Sequence, residues 1–350
     1  MRAWRLSAPG GSLTLEGLPL PEARPGSVLV RMEAVPILSY MGDYVAGKLP
    51  YRYPEGPFTP GTNGVGTVEA VGAGVYHAAP GQRVAVNPYF VADENVAEPV
   101  RVLVGLTGVS ADGAPMLADW PDGTLAEHAL MPASAVLPLD GLEGFAAERL
   151  AGLAKFAVPL GGLLRGRLAA GEVLVVNGAS GYFGSAAVLL GLALGAARVV
   201  AAAGEGAAAV ALTGDADADA AALRLAAGGP ADAALDMVGK AGDPNGTLAA
   251  LKALRRGGRL VLMGSMTVPL PLPYGDVLLN DLEIIGNFMY RPAAYRTLVA
   301  LVRAGRLDLD AVRPRTFALE DLPAAMAAAA SMRGLDATIV RPVAGTDKMP

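Results

Sequence analysis

Apolar and polar residues alternate along Ser27–Ala34 (SVLVRMEA), the period-two pattern of a half-buried strand. Gly64–Val71 (GVGTVEAV), Gln82–Val86 and Leu125–Met131 follow the same logic, and the dipeptides Pro25-Gly26, Pro60-Gly61 and Pro80-Gly81 bound these runs as turns. Up to about Pro138 the pattern predicts an all-β region. From about Ala146 the rhythm changes to strand–helix alternation, which is the signature of a parallel sheet. Glu172–Asn177 (EVLVVN) is a continuous apolar run fit for a central strand, and Ser185–Leu194 is a helix packed behind it. Ala197–Ala203, Ala231–Met237, Gly258–Met263 and Leu282–Asn287 are further strands. Asp243–Arg256 supplies a helix with Asp243 and Asn245 as cap candidates. Helices over Ala293–Ala304 and Leu319–Met332 and a strand at Thr338–Arg341 close the chain. The fold class is therefore α/β. A β-rich domain occupies 1–145 and is completed by about 292–350, and a doubly wound parallel sheet occupies 146–291.

Composition narrows the picture. A length of 350 residues favours two domains, and 53% hydrophobic against 17% charged residues fits well-buried cores rather than disorder. A net charge of -5 provides no basic surface for nucleic acid, so any phosphate must be held by backbone amides and helix ends. With no cysteine and only His77 and His128, the chain has neither disulfides nor a thiolate zinc site. The start, Met1-Arg-Ala-Trp-Arg-Leu, lacks a signal-peptide core. The apolar run Ala186–Ala197 is too short to span a bilayer and is broken by Gly191 and Gly195. A cytoplasmic protein that binds a small-molecule substrate, and neither membrane nor nucleic acid, is expected.

The chemistry-bearing motif follows the central strand. Asn177-Gly178-Ala179-Ser180-Gly181-Tyr182-Phe183-Gly184 runs from strand straight into helix with A-x-G-x-x-G spacing, Ala179 standing at the first glycine position. A dinucleotide site needs a tight turn, a residue without a side chain where backbone meets pyrophosphate, and a third glycine for close helix–strand packing. The bland alternative is a plain tight turn that binds nothing.

With that turn in place, the sequence resembles the medium-chain dehydrogenase/reductase superfamily over nearly its whole length. Phe58-Thr-Pro-Gly-Thr-Asn-Gly-Val-Gly-Thr-Val-Glu-Ala-Val-Gly-Ala-Gly-Val75 and Pro80-Gly-Gln-Arg-Val-Ala85 are similar to the GroES-like domain. The glycine turn, Leu235-Asp-Met-Val-Gly239 and Gly257-Gly-Arg-Leu-Val-Leu-Met-Gly264 are similar to the Rossmann-type domain. Within the superfamily the chain resembles the zinc-free, quinone-oxidoreductase-like members. The zinc-ligand positions of zinc-dependent members fall at about Leu38, at Thr62 within Gly61-Thr62-Asn63, and near Ala157, none of which coordinates zinc. The resemblance implies an oxidoreductase that moves hydride between NAD(P)H and a small conjugated carbonyl, enone, quinone or alcohol. It implies Tyr40 or Tyr44 as a proton or hydrogen-bond donor and Asn63 as a hydrogen-bonding partner of nicotinamide or substrate. For each tyrosine, a core residue with a satisfied hydroxyl is the competing interpretation. Cofactor contacts are implied at Gly178, Ala179, Ser180, Gly181, Tyr182, Phe183, Gly184, Glu205, Val238, Gly264, Ser265, Asn287 and Phe288. Asp43 reads as a turn or cap residue, His77 as part of an exposed turn and His128 as a strand residue. A homodimer is expected, because relatives pair their last Rossmann strands edge to edge and Val268-Pro-Leu-Pro-Leu-Pro273 is a stiff apolar arm.

Two features depart from the family. About 20 residues beyond the turn, where the ribose-reading acid stands, the chain has Ala203-Gly204-Glu205. The missing acid argues mildly for NADP over NAD, yet no Arg or Lys follows to clamp a 2′-phosphate. Then only Gly204-Glu205-Gly206 separates the strand ending at Ala203 from the apolar Ala207–Leu212, so the crossover helix after the second Rossmann strand is missing. Either the edge strand turns back antiparallel through a hairpin, or Ala207–Leu212 is not a sheet strand. Weakened dinucleotide affinity is expected, and with it a fold-retaining binding or scaffold protein becomes the alternative function.

Overall fold

The computed structural model describes residues 1–92, 95–203 and 210–342. The chain divides into two compact units, Met1–Ala154 with Leu309–Met332 and Asp336–Pro350, and Lys155–Asp308 with Arg333–Leu335.

In the first unit, Val136–Pro138, Arg83–Val86, Gly64–Val71 and Ser27–Pro36 lie side by side and antiparallel. Asp336–Arg341 continues the sheet antiparallel to Ser27–Pro36, and His128–Pro132 pairs with the same strand. The alternating pattern at Ser27–Ala34 thus predicts the sheet's central strand. It extends to Pro36, while the expected strand at Leu125–Met131 shifts to His128–Pro132. The sequence pattern missed Arg313–Ala318, a polar strand that pairs in parallel with Asp336–Arg341. It also missed the small sheet of Tyr89–Val91, Arg101–Leu103 and Thr107–Gly108. Both consist of short or charge-interrupted runs whose pairing is set by their neighbours.

The second unit is a six-stranded parallel sheet. Its strands are β1 (Val173–Asn177), β2 (Arg198–Ala203), β3 (Val210–Ala211), β4 (Ala231–Asp236), β5 (Leu254–Leu262) and β6 (Glu283–Gly286). Their spatial order is β3-β2-β1-β4-β5-β6, the doubly wound arrangement in which the strand order reverses between β1 and β4. Val175, Val200, Ala234 and Leu260 from four adjacent strands are buried at 2% exposure or less, so the continuous apolar runs of the sequence are the core. Helices α1 (Leu153–Arg165), α2 (Tyr182–Ala193), α3 (Ala216–Ala227) and α4 (Asn245–Lys252) belong to the same half of the chain. Helix α2 begins three residues earlier than its apolar pattern suggests, directly on the glycine turn. Helix α4 is shorter than Asp243–Arg256, because Leu254 already starts β5.

The edge strand corrects one expectation. β3 runs parallel to β2, with Ala202 opposite Val210 and Ala203 opposite Ala211, so no antiparallel hairpin forms. A crossover helix is needed when the chain must return the full length of a strand. β3 pairs only with the last two residues of β2, so the chain barely has to return at all. The linking residues 204–209, Glu205 among them, lie outside the described residues, and only Val210–Ala211 of the apolar segment Ala207–Leu212 is strand.

Candidate functional site

A cavity of about 480 Å³ opens at the carboxyl ends of β1 and β4, where the strand order reverses. Asn177, Gly178, Ser180 and Gly181 line it from the glycine turn, and Met237, Val238 and Gly239 from the end of β4. Thr213, Gly214 and Asp219 close it on the β3 side, and Asp243, Gly246 and Thr247 at the start of α4. This is the crevice in which open α/β sheets bind ligands.

Each glycine of the turn has its own reason. Gly178 has φ +80°, a conformation that L side chains rarely adopt, and the N–H groups of Gly178 and Ala179 both donate to the Ala202 carbonyl at 2.9 and 3.0 Å. Gly184 faces the Gly178 carbonyl so closely that a Cβ would lie 2.0 Å from its oxygen; this is the close packing of α2 on the turn. Gly181 differs in degree: among the described residues a Cβ there would meet only the Gly178 oxygen, at 3.2 Å, a tight contact with backbone that a shift of a few tenths of an ångström would relieve. Gly181 also lines the cavity. Beyond it, the first N–H groups of α2 lack intrahelical acceptors and carry the positive end of the helix dipole, suited to a pyrophosphate.

Behind the cavity wall, Asp236 at the end of β4 stands opposite Asn177 in register. Its carboxylate accepts from Asn177 Nδ2 at 3.1 Å, Thr247 Oγ1 at 2.8 Å and the Val238 N–H at 3.3 Å. Burial pushes this carboxyl above its ordinary range, with the three donors opposing the shift. Asp219 accepts from the Thr213 N–H and Oγ1, both at 2.8 Å, and from the Gly214 N–H at 3.0 Å. The carboxylate that faces the adenosine side is thus committed to shaping the loop after β3. No Lys or Arg lines the cavity among the described residues.

The remaining described cofactor positions do not line the cavity. Gly264 packs on the Val238 carbonyl, where a Cβ would lie 2.4 Å away, and Ser265 Oγ accepts from the Lys240 N–H at 2.9 Å. Asn287 Nδ2 donates to the Met289 carbonyl at 2.8 Å, and Phe288 is 55% exposed. Ala179 is buried, and Tyr182 meets Phe183 edge to face at 5.0 Å. Sequence reasoning missed Thr213, Gly214 and Asp219. The signal was present in Asp215, which caps α3 by accepting from the Asp217 and Ala218 N–H groups ahead of an Ala-rich helical run.

In the first unit, Tyr44 takes the competing interpretation of a core residue with a satisfied hydroxyl. It is fully buried, its hydroxyl donates to the Leu106 carbonyl at 2.7 Å, and its ring stacks on Tyr53 at 4.6 Å. Burial pushes its phenol far above the ordinary range, and its hydroxyl is satisfied within the core. Tyr40 is partly exposed at the start of the short helix Met41–Val45, edge-on to Tyr51 at 6.3 Å. Asn63 Nδ2 reaches the Val86 carbonyl at 3.5 Å, and the Asn63 carbonyl accepts from Thr124 Oγ1 at 2.9 Å. Asp43 lies in the first turn of Met41–Val45, His77 is exposed and His128 begins a strand.

Fold and cavity together define a class, the dinucleotide-binding oxidoreductases built from a β-rich unit and a doubly wound parallel sheet. Residues 24–141 match the family model "Alcohol dehydrogenase GroES-like domain" and residues 183–304 match "Zinc-binding dehydrogenase", about two thirds of the chain between them. The chain belongs to the medium-chain dehydrogenase/reductase superfamily. It is 27% identical to sorbitol dehydrogenase from Homo sapiens over 292 residues, covering 80% of this chain and 79% of that protein. It is 28% identical to an alcohol dehydrogenase from Moraxella sp. strain TAE123 over 319 residues, covering 88% and 90%. Among solved structures, an alcohol dehydrogenase from Thermus sp. ATN1 superposes with TM-score 0.77 at 22% identity, covering 97% of this chain and 99% of that one. These relatives bear the names of alcohol and polyol dehydrogenases, and none of the three is a quinone reductase.

One of the matched models is described as zinc-binding, so the donors deserve a direct test. The chain contains no cysteine, and Leu38, Thr62 and Ala157 stand where the resemblance places the ligands. Leu and Ala have no donor atom, and Thr62 Oγ1, buried without a hydrogen-bond partner among the described residues, is a neutral hydroxyl that zinc sites do not use. Among the described residues no three His, Asp or Glu gather as a metal would require. These residues do not fit a catalytic zinc.

Proposed function

We propose that this protein is a zinc-independent NAD(P)H-dependent oxidoreductase acting on a small carbonyl or alcohol, with conjugated carbonyls such as enones and quinones preferred. The observation that carries the proposal is the cavity at the switch point of the sheet, lined by Gly178, Ser180 and Gly181 of the glycine turn. When bound, the nicotinamide supplies or takes up the hydride. The turn residues Ser180 and Gly181 and the first turn of α2 would hold the pyrophosphate, and Val238 and Gly239 would flank it. A conjugated carbonyl suits a site without zinc, because the charge arriving with hydride is delocalised over an enolate and needs only hydrogen bonds. Tyr40 and Asn63 are the candidate donors. The cavity's carboxylates and the lack of a lining cation among the described residues support NAD at least as well as NADP.

Fluorescence titration with NADH and NADPH, followed by assays with an enone, a quinone and sorbitol in the presence of a chelator, tests this reading. Coenzyme quenching and chelator-resistant reduction of the enone or quinone are expected. Activity lost to the chelator and restored by zinc would overturn zinc independence. Absence of quenching by either coenzyme would favour the alternative of a fold-retaining binding protein, an idea motivated by the six-residue link after β2. We further propose a homodimer joined along β6. That strand ends the sheet, and Leu272, Tyr274, Leu278, Leu279 and Phe288 on the segments around it are 45–80% exposed.

A further inference from the structure

Lys155 is the second unit's most anomalous side chain. It lies in the third position of α1 and is 0% exposed, one of the largest fully buried side chains in the protein. Burying an ammonium is costly unless its surroundings replace water, and such groups cluster where a site needs them. Its surroundings here are parts of the glycine turn. The ammonium lies 3.5 Å from the centroid of the Tyr182 ring, the first residue of α2, and donates to the Gly334 carbonyl at 2.6 Å. That carbonyl also accepts from Ser185 Oγ at 2.7 Å, one turn further along α2. The Gly334 N–H completes the link by donating to the Ser180 carbonyl at 3.0 Å, within the turn itself. Three points of the turn and its helix, Ser180, Tyr182 and Ser185, are therefore tied to one peptide and one buried cation.

We propose that Lys155 is a cofactor-positioning residue, which through Gly334 and the Tyr182 ring holds the Ser180–Tyr182 corner of the turn in the shape that receives a pyrophosphate. The inference rests on the dinucleotide reading above. The Ser180–Gly181 peptide is held at both ends, its N–H donating to the Gly178 carbonyl and its carbonyl accepting from the Gly334 N–H, each at 3.0 Å, and this peptide leads directly into the first N–H groups of α2. The clamp also places a positive charge against the turn of a cavity whose lining carries Asp219 and Asp243 and no Lys or Arg among the described residues. A dianionic ligand gains from a fixed cation there. The cation–π contact is strong only while the ring carries the ammonium on its face, so the position of Tyr182 is set along with the charge.

The test titrates NADH and NADPH into the wild-type protein, Lys155→Met and Lys155→Arg, with thermal melting recorded on the same samples. Lys155→Met is expected to weaken coenzyme binding about tenfold or more, with Lys155→Arg recovering most of the loss. A purely structural lysine would lower the melting temperature and leave the affinity of the folded protein unchanged, so Lys155→Met binding within about twofold of wild type would overturn the proposal. Should Lys155→Met fail to fold, Ser185→Ala and Tyr182→Leu loosen the same clamp from the turn side, and unchanged affinity in both would overturn it equally. A wild-type protein that binds neither coenzyme removes the dinucleotide reading itself. A wild type that binds, with Lys155→Met binding as well, removes only the role of Lys155.

Discussion

Two glycines three residues apart in one turn make unequal demands. A Cβ at Gly184 would lie 2.0 Å from the Gly178 oxygen, whereas a Cβ at Gly181 would meet the same oxygen at 3.2 Å. Gly184→Ala is therefore expected to destabilise the fold by about 1–3 kcal/mol, read from urea unfolding, because overpacking against rigid backbone cannot be relieved by a rotamer. Gly181→Ala is expected to cost less stability than Gly184→Ala while weakening NADH binding about tenfold, read from fluorescence titration. Equal stability losses in the two variants would show that Gly181 serves the fold after all. The sequence made the turn legible, because glycine spacing reports backbone conformation directly. It could not separate the two glycines, since both meet the Gly178 oxygen and only the folded turn sets one distance at 2.0 Å and the other at 3.2 Å. Tyr44 shows the same limit. The family resemblance implies a proton donor there, and only the fold brings the Leu106 carbonyl to its hydroxyl.

At the scale of elements, β1, β4 and α4 meet at Asp236. In the folded protein burial raises its carboxyl above the ordinary value of 3.8, so in the pH range between the two values the folded state holds a proton that the unfolded chain has lost. Stability contributed by this group is present below the ordinary value and falls as pH rises through that range. Asp236→Asn, which carries no charge in either state, is expected to flatten this part of the profile in urea unfolding measured across acid pH. A slope identical to wild type would place the titration elsewhere. Elements whose apolar run is long or strictly periodic, such as β1 and Gly64–Val71, were legible with their bounds nearly correct. Helix α3 was not, because its Ala- and Asp-rich sequence carries little hydrophobic contrast and its signal lies in the cap at Asp215. Neither the hairpin nor the strandless alternative describes β3, for a geometric reason: the crossover requirement holds for full-length strands, and β3 has two residues.

For the whole molecule, the free edge at β6 and the exposed side chains around it lead to a prediction about mass. Light scattering at micromolar concentration is expected to give twice the chain mass, and Leu279→Glu, at a residue 70% exposed, is expected to shift the population towards monomer. A monomeric wild type would refute the proposed dimer. Among the described residues no helix is long and apolar enough to cross a membrane, so these exposed groups do not form a spanning segment.

Arg333–Leu335 bears on how this protein can be taken apart. Those three residues belong to the nucleotide-binding unit although the chain on either side of them belongs to the other. A gene fragment cut at the sheet's own ends, 155–308, would omit Gly334 and leave the Lys155 ammonium, the Ser185 hydroxyl and the Ser180 carbonyl without the peptide they share. The turn most responsible for the reading of this protein is completed by a tripeptide encoded near the end of the chain. Any domain swap, split reporter or minimal cofactor-binding module made from it has to carry that tripeptide along.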